Sequence, residues 1–133
     1  MDCIFCDIVS GSVPNHTVYQ DENFLAFLDI FPHAKGHTVL IPKAHRDNFA
    51  VLTDEETSGL ALAIKKAMEK VQMVLNPDGF NVGWNEDPAG GQVVPHLHVH
   101  IFPRYNGDGG GSMHSIIKNP SQTPVNELAK KFV

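Results

Sequence analysis

Three histidines alternate with apolar residues in the run His96-Leu97-His98-Val99-His100. On a β-strand, side chains two apart leave the same face, so three imidazoles would stand in a row while Leu97, Val99 and Ile101 face a core. Such a row suits two chemistries. One is a catalytic zinc site with three histidine ligands; the other is nucleophilic and proton-transfer work near neutral pH. A second group opens the chain. Cys3-Ile4-Phe5-Cys6 has the two-residue gap that lets two thiolates approach one tetrahedral zinc, with His45 and one end of the histidine run as candidates to complete four ligands. A Cys₂His₂ site would be coordinatively closed and therefore structural. A thioredoxin-type redox pair is the competing reading, although that motif belongs after a strand in a βαβ pattern.

Composition narrows the setting. The 133 residues match one ordinary domain, large enough for one hydrophobic core. Ten Lys and Arg against fifteen Asp and Glu give a net charge of -5, which argues against a surface built for a nucleic-acid backbone. No apolar run approaches a bilayer span and Met1-Asp2-Cys3 lacks the parts of a signal peptide, so a cytoplasmic protein with no membrane association is expected. In a reducing compartment two close cysteines suit a metal or redox role better than a structural crosslink. Eight histidines in so short a chain agree with a metal role.

The elements that must position these residues can be read from periodicity. Cys3 to Ser10 has near-helical apolar spacing and stops at Gly11 and Pro14. Thr17 to Gln20, Phe24 to Asp29 and His37 to Pro42 read as successive antiparallel strands separated by turn formers. Thr53 and Glu56 form a capping-box pattern before a stripe of Leu60, Ile64, Ala67, Met68, Val71 and Leu75, which Asn76-Pro77-Asp78-Gly79 ends. Phe80, Val82 and Trp84 alternate in a fourth strand, and His96 to Phe102 in a fifth. Gly107 to Gly111 reads as mobile, and a short helix is expected from Thr123 as cap with Pro124 at its first position. The fold class is α+β: an antiparallel sheet of about five strands with one long helix and short terminal helices.

The histidine run, the Cys3–Cys6 pair, Val18-Tyr19-Gln20-Asp21-Glu22, Leu25-Ala26-Phe27-Leu28-Asp29-Ile30 and Gly36-His37-Thr38-Val39-Leu40-Ile41-Pro42-Lys43-Ala44-His45 together resemble the histidine triad family. The likeness covers roughly residues 2–106, with 107–133 as a tail packing on the same single domain, and the cysteine-bearing form is similar to a zinc-containing bacterial branch. It implies structural zinc on Cys3, Cys6, His45 and His96. It also implies His98 as the nucleophile that forms a covalent nucleotidyl intermediate at an α-phosphate, with His100 and His37 beside the phosphate. By the same likeness Asp29 would accept from the ribose hydroxyls, although an aspartate ending a strand is in its own right a turn former. Phe5, Phe27, Ile30 and Val39 match the walls of a purine pocket and would equally serve as core. Asn85, Gly91 and Gln92 match contacts to the sugar and phosphate. A homodimer joined edge to edge is implied as well.

Val93 departs from the pattern, standing where the phosphoramidase branch carries a serine that assists the leaving group. An amine leaving group needs that proton more than a phosphate does, so phosphoramidate cleavage is the less secure activity. The leading reading is a hydrolase or nucleotidyl transferase acting on purine nucleotide derivatives. Its alternatives are a nucleotide-binding signalling module with little turnover and a metal or thiol protein, for which Asp29 and Gln92 would have no use. His16, His33 and His114 match no catalytic position and read as solvated, while Trp84 reads as core or interface.

Overall fold

The computed structural model describes residues 2–133. Helix α1 spans Ile4–Ser10, with Cys3 as its N-cap: the Cys6 amide donates to Cys3 Sγ at 3.4 Å. The expected capping box of Thr53 and Glu56 opens α2, Asp54–Leu75, and Asn76 closes it in the left-handed conformation. Five strands follow the expected pattern: β1 Thr17–Gln20, β2 Phe24–Leu28, β3 Thr38–Pro42, β4 Gly79–Trp84 and β5 Val99–Arg104. They form one antiparallel sheet in the order β1-β2-β3-β5-β4.

Both faces of the sheet centre are covered, which explains the nearly unbroken apolar runs of β2 and β3. On one face Phe24, Ala26, Leu40, Val99 and Ile101 pack on Leu60, Ala63 and Ala67 of α2. On the other, Leu25, Phe27, Val39 and Ile41 pack on Ile8, with Phe5 and Val9 beside them. At seven residues α1 is too short to persist alone, so this second cluster must hold it in place. No helix among the described residues is long and apolar enough to cross a membrane.

Three expectations are corrected. The fifth strand begins at Val99, so His96 and His98 precede the ladder. The His96 amide donates to Val94 O at 2.9 Å and the Leu97 amide to Arg46 O at 2.7 Å, and the last cross-strand partners of β5 are Leu40 and Trp84, both opposite Val99. The Gly107–Gly111 stretch, expected to be mobile, is a tied turn: Arg104 grips Asp108 through Nε and Nη2, each at 2.8 Å, and also donates to Gly111 O. The last helix, α3, spans Val125–Ala129 with Pro124 itself in the N-cap position, one residue later than the sequence suggested. Between these, Gly111 to Ile116 borders a cavity over the sheet, while Ile117, Val125 and Phe132 stand exposed.

Gly36 links the scaffold to the site. Its φ of 86° lies in the left-handed region, and a Cβ there would overlap Leu75 Cδ1 at the end of α2 and lie 3.3 Å from Pro103 Cγ. Gly36→Ala is therefore expected to lower unfolding stability by about 1–3 kcal/mol in urea titration. An unchanged midpoint would contradict the close packing of α2 on the turn that delivers His37.

Candidate active site

The hydrogen bonds around each imidazole determine which ring nitrogen carries the proton. A carbonyl oxygen only accepts, so His98, whose Nδ1 lies 2.8 Å from His96 O, is protonated on Nδ1 and bare on Nε2 whenever the ring is neutral. The Phe5 ring lies beside it, with centroids 4.9 Å apart. His37 is the opposite tautomer. Its Nδ1 accepts the His33 amide at 3.2 Å, which leaves the proton on Nε2. That proton points at His100 Nδ1, 2.9 Å away, so His100 in turn carries its remaining hydrogen on Nε2. A bare nitrogen and an N–H donor are thus offered by neighbouring rings whose centroids are 5.2 Å apart.

Burial keeps this pair of donors uncharged. His100 is pushed down to about 4, chiefly by desolvation and then by the neighbouring His98 and His37, and His37 is lowered mainly by desolvation. Asp29 stands near them, with Oδ2 3.7 Å from His37 Nε2, while its Oδ1 accepts the Phe31 amide at 2.8 Å. The turn role and a free carboxylate oxygen therefore coexist. Asp29, His37, Asn85 and His100 line a cavity of about 480 Å³, which Trp84 and Met113 also border. This volume suits a small organic ligand.

The other residues named from sequence are placed as follows. Phe27 and Val39 are buried in the cluster under α1, and the Phe27 ring lies 6.2 Å from that of Phe5. Ile30 is 72 % exposed directly after Asp29. Gly91 has φ 97°, and a Cβ there would meet the Asn85 side chain at 3.6 Å, so the loop closes on Asn85. Gln92 is held by its own loop: its Nε2 donates to Asp47 O and Val94 O at 2.7 and 3.0 Å, and its Oε1 accepts the Asp87 amide at 2.8 Å. Val93 is 90 % exposed and brings no donor.

Cys3, Cys6, His45 and His96 come together at the other end of the triad, all four ligand atoms within 4.8 Å of one another. His96 Nε2 donates to Pro42 O and His45 Nε2 to Asp47 Oδ1, both at 2.9 Å, which leaves both Nδ1 atoms bare toward sulfur. The S···N separations are 3.2 to 3.6 Å. Tetrahedral zinc with ordinary Zn–S and Zn–N bonds would require about 3.5 Å, so the donor set fits that ion. Asp29, His37 and His100 also lie within ligand distance of one another, but there the His37 Nε2 hydrogen occupies the position a metal would need. Among the described residues the three imidazoles of the run do not bring ligand atoms within 4.8 Å of one another, as a three-histidine zinc site requires.

Sequence reasoning missed several contributors. His33 is exposed as expected, yet it sets the His37 tautomer through its amide and places its ring edge-on to His37 at 5.5 Å. Pro42 acts through a carbonyl, which no residue type announces. Asp47, two residues after His45, offered the one legible signal, because metal-bound histidines commonly donate to a carboxylate.

The depressed His37 and His100 give a testable pH dependence. Unfolded imidazoles take up protons near pH 6.5, whereas folded His100 does so only near 4. The unfolded chain therefore binds more protons between those values, and stability present above about pH 6.5 is lost as pH falls toward 4. His100→Gln is expected to flatten the thermal-midpoint profile in that window, and a profile as steep as wild type would contradict the assignment.

Comparison with known proteins places this geometry in context. A family model described as HIT domain matches residues 10–107. An uncharacterised HIT-like protein of Methanocaldococcus jannaschii is 44% identical over 117 residues, spanning 88% of this chain and 90% of that protein. The adenosine 5'-monophosphoramidase of Schizosaccharomyces pombe is 38% identical over 110 residues, 83% of this chain and 80% of its own. Among solved structures, a HIT family member from Bacillus subtilis superposes with a TM-score of 0.85 at 36% identity, covering 99% of this chain and 93% of that one. A zinc-bound histidine triad protein from Mycobacterium smegmatis gives 0.77 at 37% identity over 92% and 86% of the two chains. With its triad, its fold and these relatives in agreement, the chain belongs to the histidine triad family.

Proposed function

We propose that the protein is a nucleotidyl hydrolase or transferase that cleaves purine nucleotide derivatives at the α-phosphate through His98. The observation that carries this reading is the bare Nε2 of His98, held by the bond from Nδ1 to His96 O. Attack by Nε2 on phosphorus forms a P–N bond and breaks the bond to the leaving group. The positive charge then developing on the ring is eased by the same Nδ1–H···O contact. The His100 Nε2–H donates toward the phosphoryl oxygens as charge grows there, and Asp29 Oδ2 accepts from ribose. Water discharges the nucleotidyl-histidine and regenerates the neutral ring.

The family membership and the phosphoramidase name of the fission yeast relative support the reaction class. The zinc-bound mycobacterial neighbour and the S···N distances support structural zinc on Cys3, Cys6, His45 and His96, which when bound would tie the N terminus to the triad and take no part in the chemistry. We further infer a cytoplasmic homodimer with neither nucleic-acid nor membrane partners. Dimerisation is supported by the edge position of β4 and by an apolar hollow of Ile64, Met68, Met73 and Phe80 beside it.

Turnover of diadenosine polyphosphate and of a fluorogenic adenosine phosphoramidate tests the proposal. His98→Ala is expected to lower kcat for either by at least about 10³-fold. The anhydride should be the faster substrate, because Val93 supplies no proton to an amine. AMP binding without turnover of either compound would make the chain a nucleotide-binding module instead.

A further inference from the structure

The face of β5 that carries His100 continues beyond it as Phe102 and Arg104, while Ile101 and Pro103 are buried on the other side. Opposite these residues on β4 stand Gly83, Asn81 and Gly79, in register with His100, Phe102 and Arg104. Large side chains on one strand thus face small ones on the next, and the sheet carries a trough that advances about 13 Å from His100 to Arg104. Its first part is the cavity bordered by Asp29 and His100; a second hollow of about 300 Å³ adjoins it, and the two share His33, Asn81 and Phe102. The Phe102 ring forms the floor, stacked on His100 with centroids 5.6 Å apart and planes 9° from parallel. Lys35 stands on the wall of the second hollow, where its carbonyl accepts from the Tyr105 hydroxyl at 3.0 Å. The Lys35 ammonium has no carboxylate within ion-pair distance among the described residues. Arg104, by contrast, is spent. Its Nε and Nη2 hold Asp108, whose charge it cancels, and Nη1 donates to Asn81 Oδ1 at 2.6 Å. That bond assigns the Asn81 amide: the oxygen faces Arg104, and Nδ2, which has no protein partner among the described residues, is left to offer its hydrogens to the trough.

We propose that this trough is the leaving-group subsite and that it takes an anionic oligophosphate, with Lys35 and the Asn81 amide as the residues that set the preference. The inference rests on the reading of His98 as the nucleophile and adds what the substrate carries beyond its α-phosphate. Phe5 and Phe27, matched to the purine, line neither hollow, so the trough is free for the rest of the substrate. In an in-line displacement the leaving group departs opposite the attacking atom. His98 borders neither hollow and His100 borders the first, so a group driven away from His98 passes His100 into the trough. When the P–O bond breaks, its electron pair stays on the leaving oxygen. A phosphate can depart in that form, as an anion that needs a nearby positive charge, whereas an amine needs a proton, which exposed Val93 does not supply. Lys35 offers the charge.

Lys35→Gln and Lys35→Arg, made in the full chain, test the assignment. With diadenosine tetraphosphate, Lys35→Gln should lose about 3- to 10-fold in kcat/KM, and Lys35→Arg should retain the wild-type value. Turnover of the fluorogenic adenosine phosphoramidate, whose amine leaving group carries no phosphate, should be unchanged in both, which also shows that the variants are folded. The loss should shrink as salt is raised, because the Lys35 side chain is exposed and its charge is screened. Calorimetric titration gives a second readout that involves no chemistry. Added to His98→Ala, Lys35→Gln should weaken binding of diadenosine tetraphosphate by about 3- to 10-fold and leave that of AMP unchanged. Equal losses for the two substrates, or no loss for the tetraphosphate, overturn the subsite while the reaction at His98 stands. Failure of every variant to bind either AMP or the tetraphosphate overturns the nucleotide reading and the subsite together.

Discussion

One hydrogen bond, from the His98 ring to the carbonyl of His96, decides which nitrogen of the central imidazole is free. Its geometry depends on the backbone between the two residues, and that backbone is fixed from three directions. The Leu97 side chain is fully buried in the core under α2, its amide is spent on Arg46 O, and the His96 ring is pinned to Pro42 O. A group left unpaired in such surroundings costs roughly 1–3 kcal/mol, so the arrangement resists rotation of any single member. The alternation of Leu97, Val99 and Ile101 into the core is what turns the intervening histidines to the opposite side, even where the ladder has not yet begun.

The surrounding imidazoles follow the same logic with different outcomes. Each has one nitrogen engaged by a fixed partner, and the identity of that partner determines what the other nitrogen offers. A main-chain amide on His37 leads through two rings to an outward N–H on His100, whereas acceptors behind His45 and His96 leave lone pairs facing sulfur. Burial then keeps His37 and His100 neutral. Neutral donors suit a phosphoryl transfer, since they strengthen as negative charge grows on the oxygens, whereas a permanent cation would also tighten the ground state.

Much of this was legible in the sequence. The five strands, the capped long helix and the two histidine-bearing groups follow from periodicity, cap residues and spacing, because those signals lie in side chains at fixed offsets. The beginning of β5 was misplaced because apolar alternation continues through Leu97 although the amides there bond to loops. Gly107–Gly111 read as mobile because glycine content hides the Arg104–Asp108 clamp, a pairing four residues apart outside any helix. His33 and Pro42 were invisible for a different reason: both act through main-chain atoms, which every residue possesses. The Gln92 side chain is illegible for the same reason, since its partners are main-chain atoms of Asp47, Asp87 and Val94.

The central claim is that His98 itself attacks phosphorus. The most direct measurement is intact-protein mass spectrometry of a reaction quenched into alkaline denaturant during the first turnovers, followed by peptide mapping under conditions that preserve P–N bonds. A mass increase of one nucleotidyl group, the nucleoside monophosphate less one water, located on His98 is expected. An adduct on another residue would contradict it, as would product formed from a single transferable phosphorus centre with inverted configuration, which signals direct attack by water.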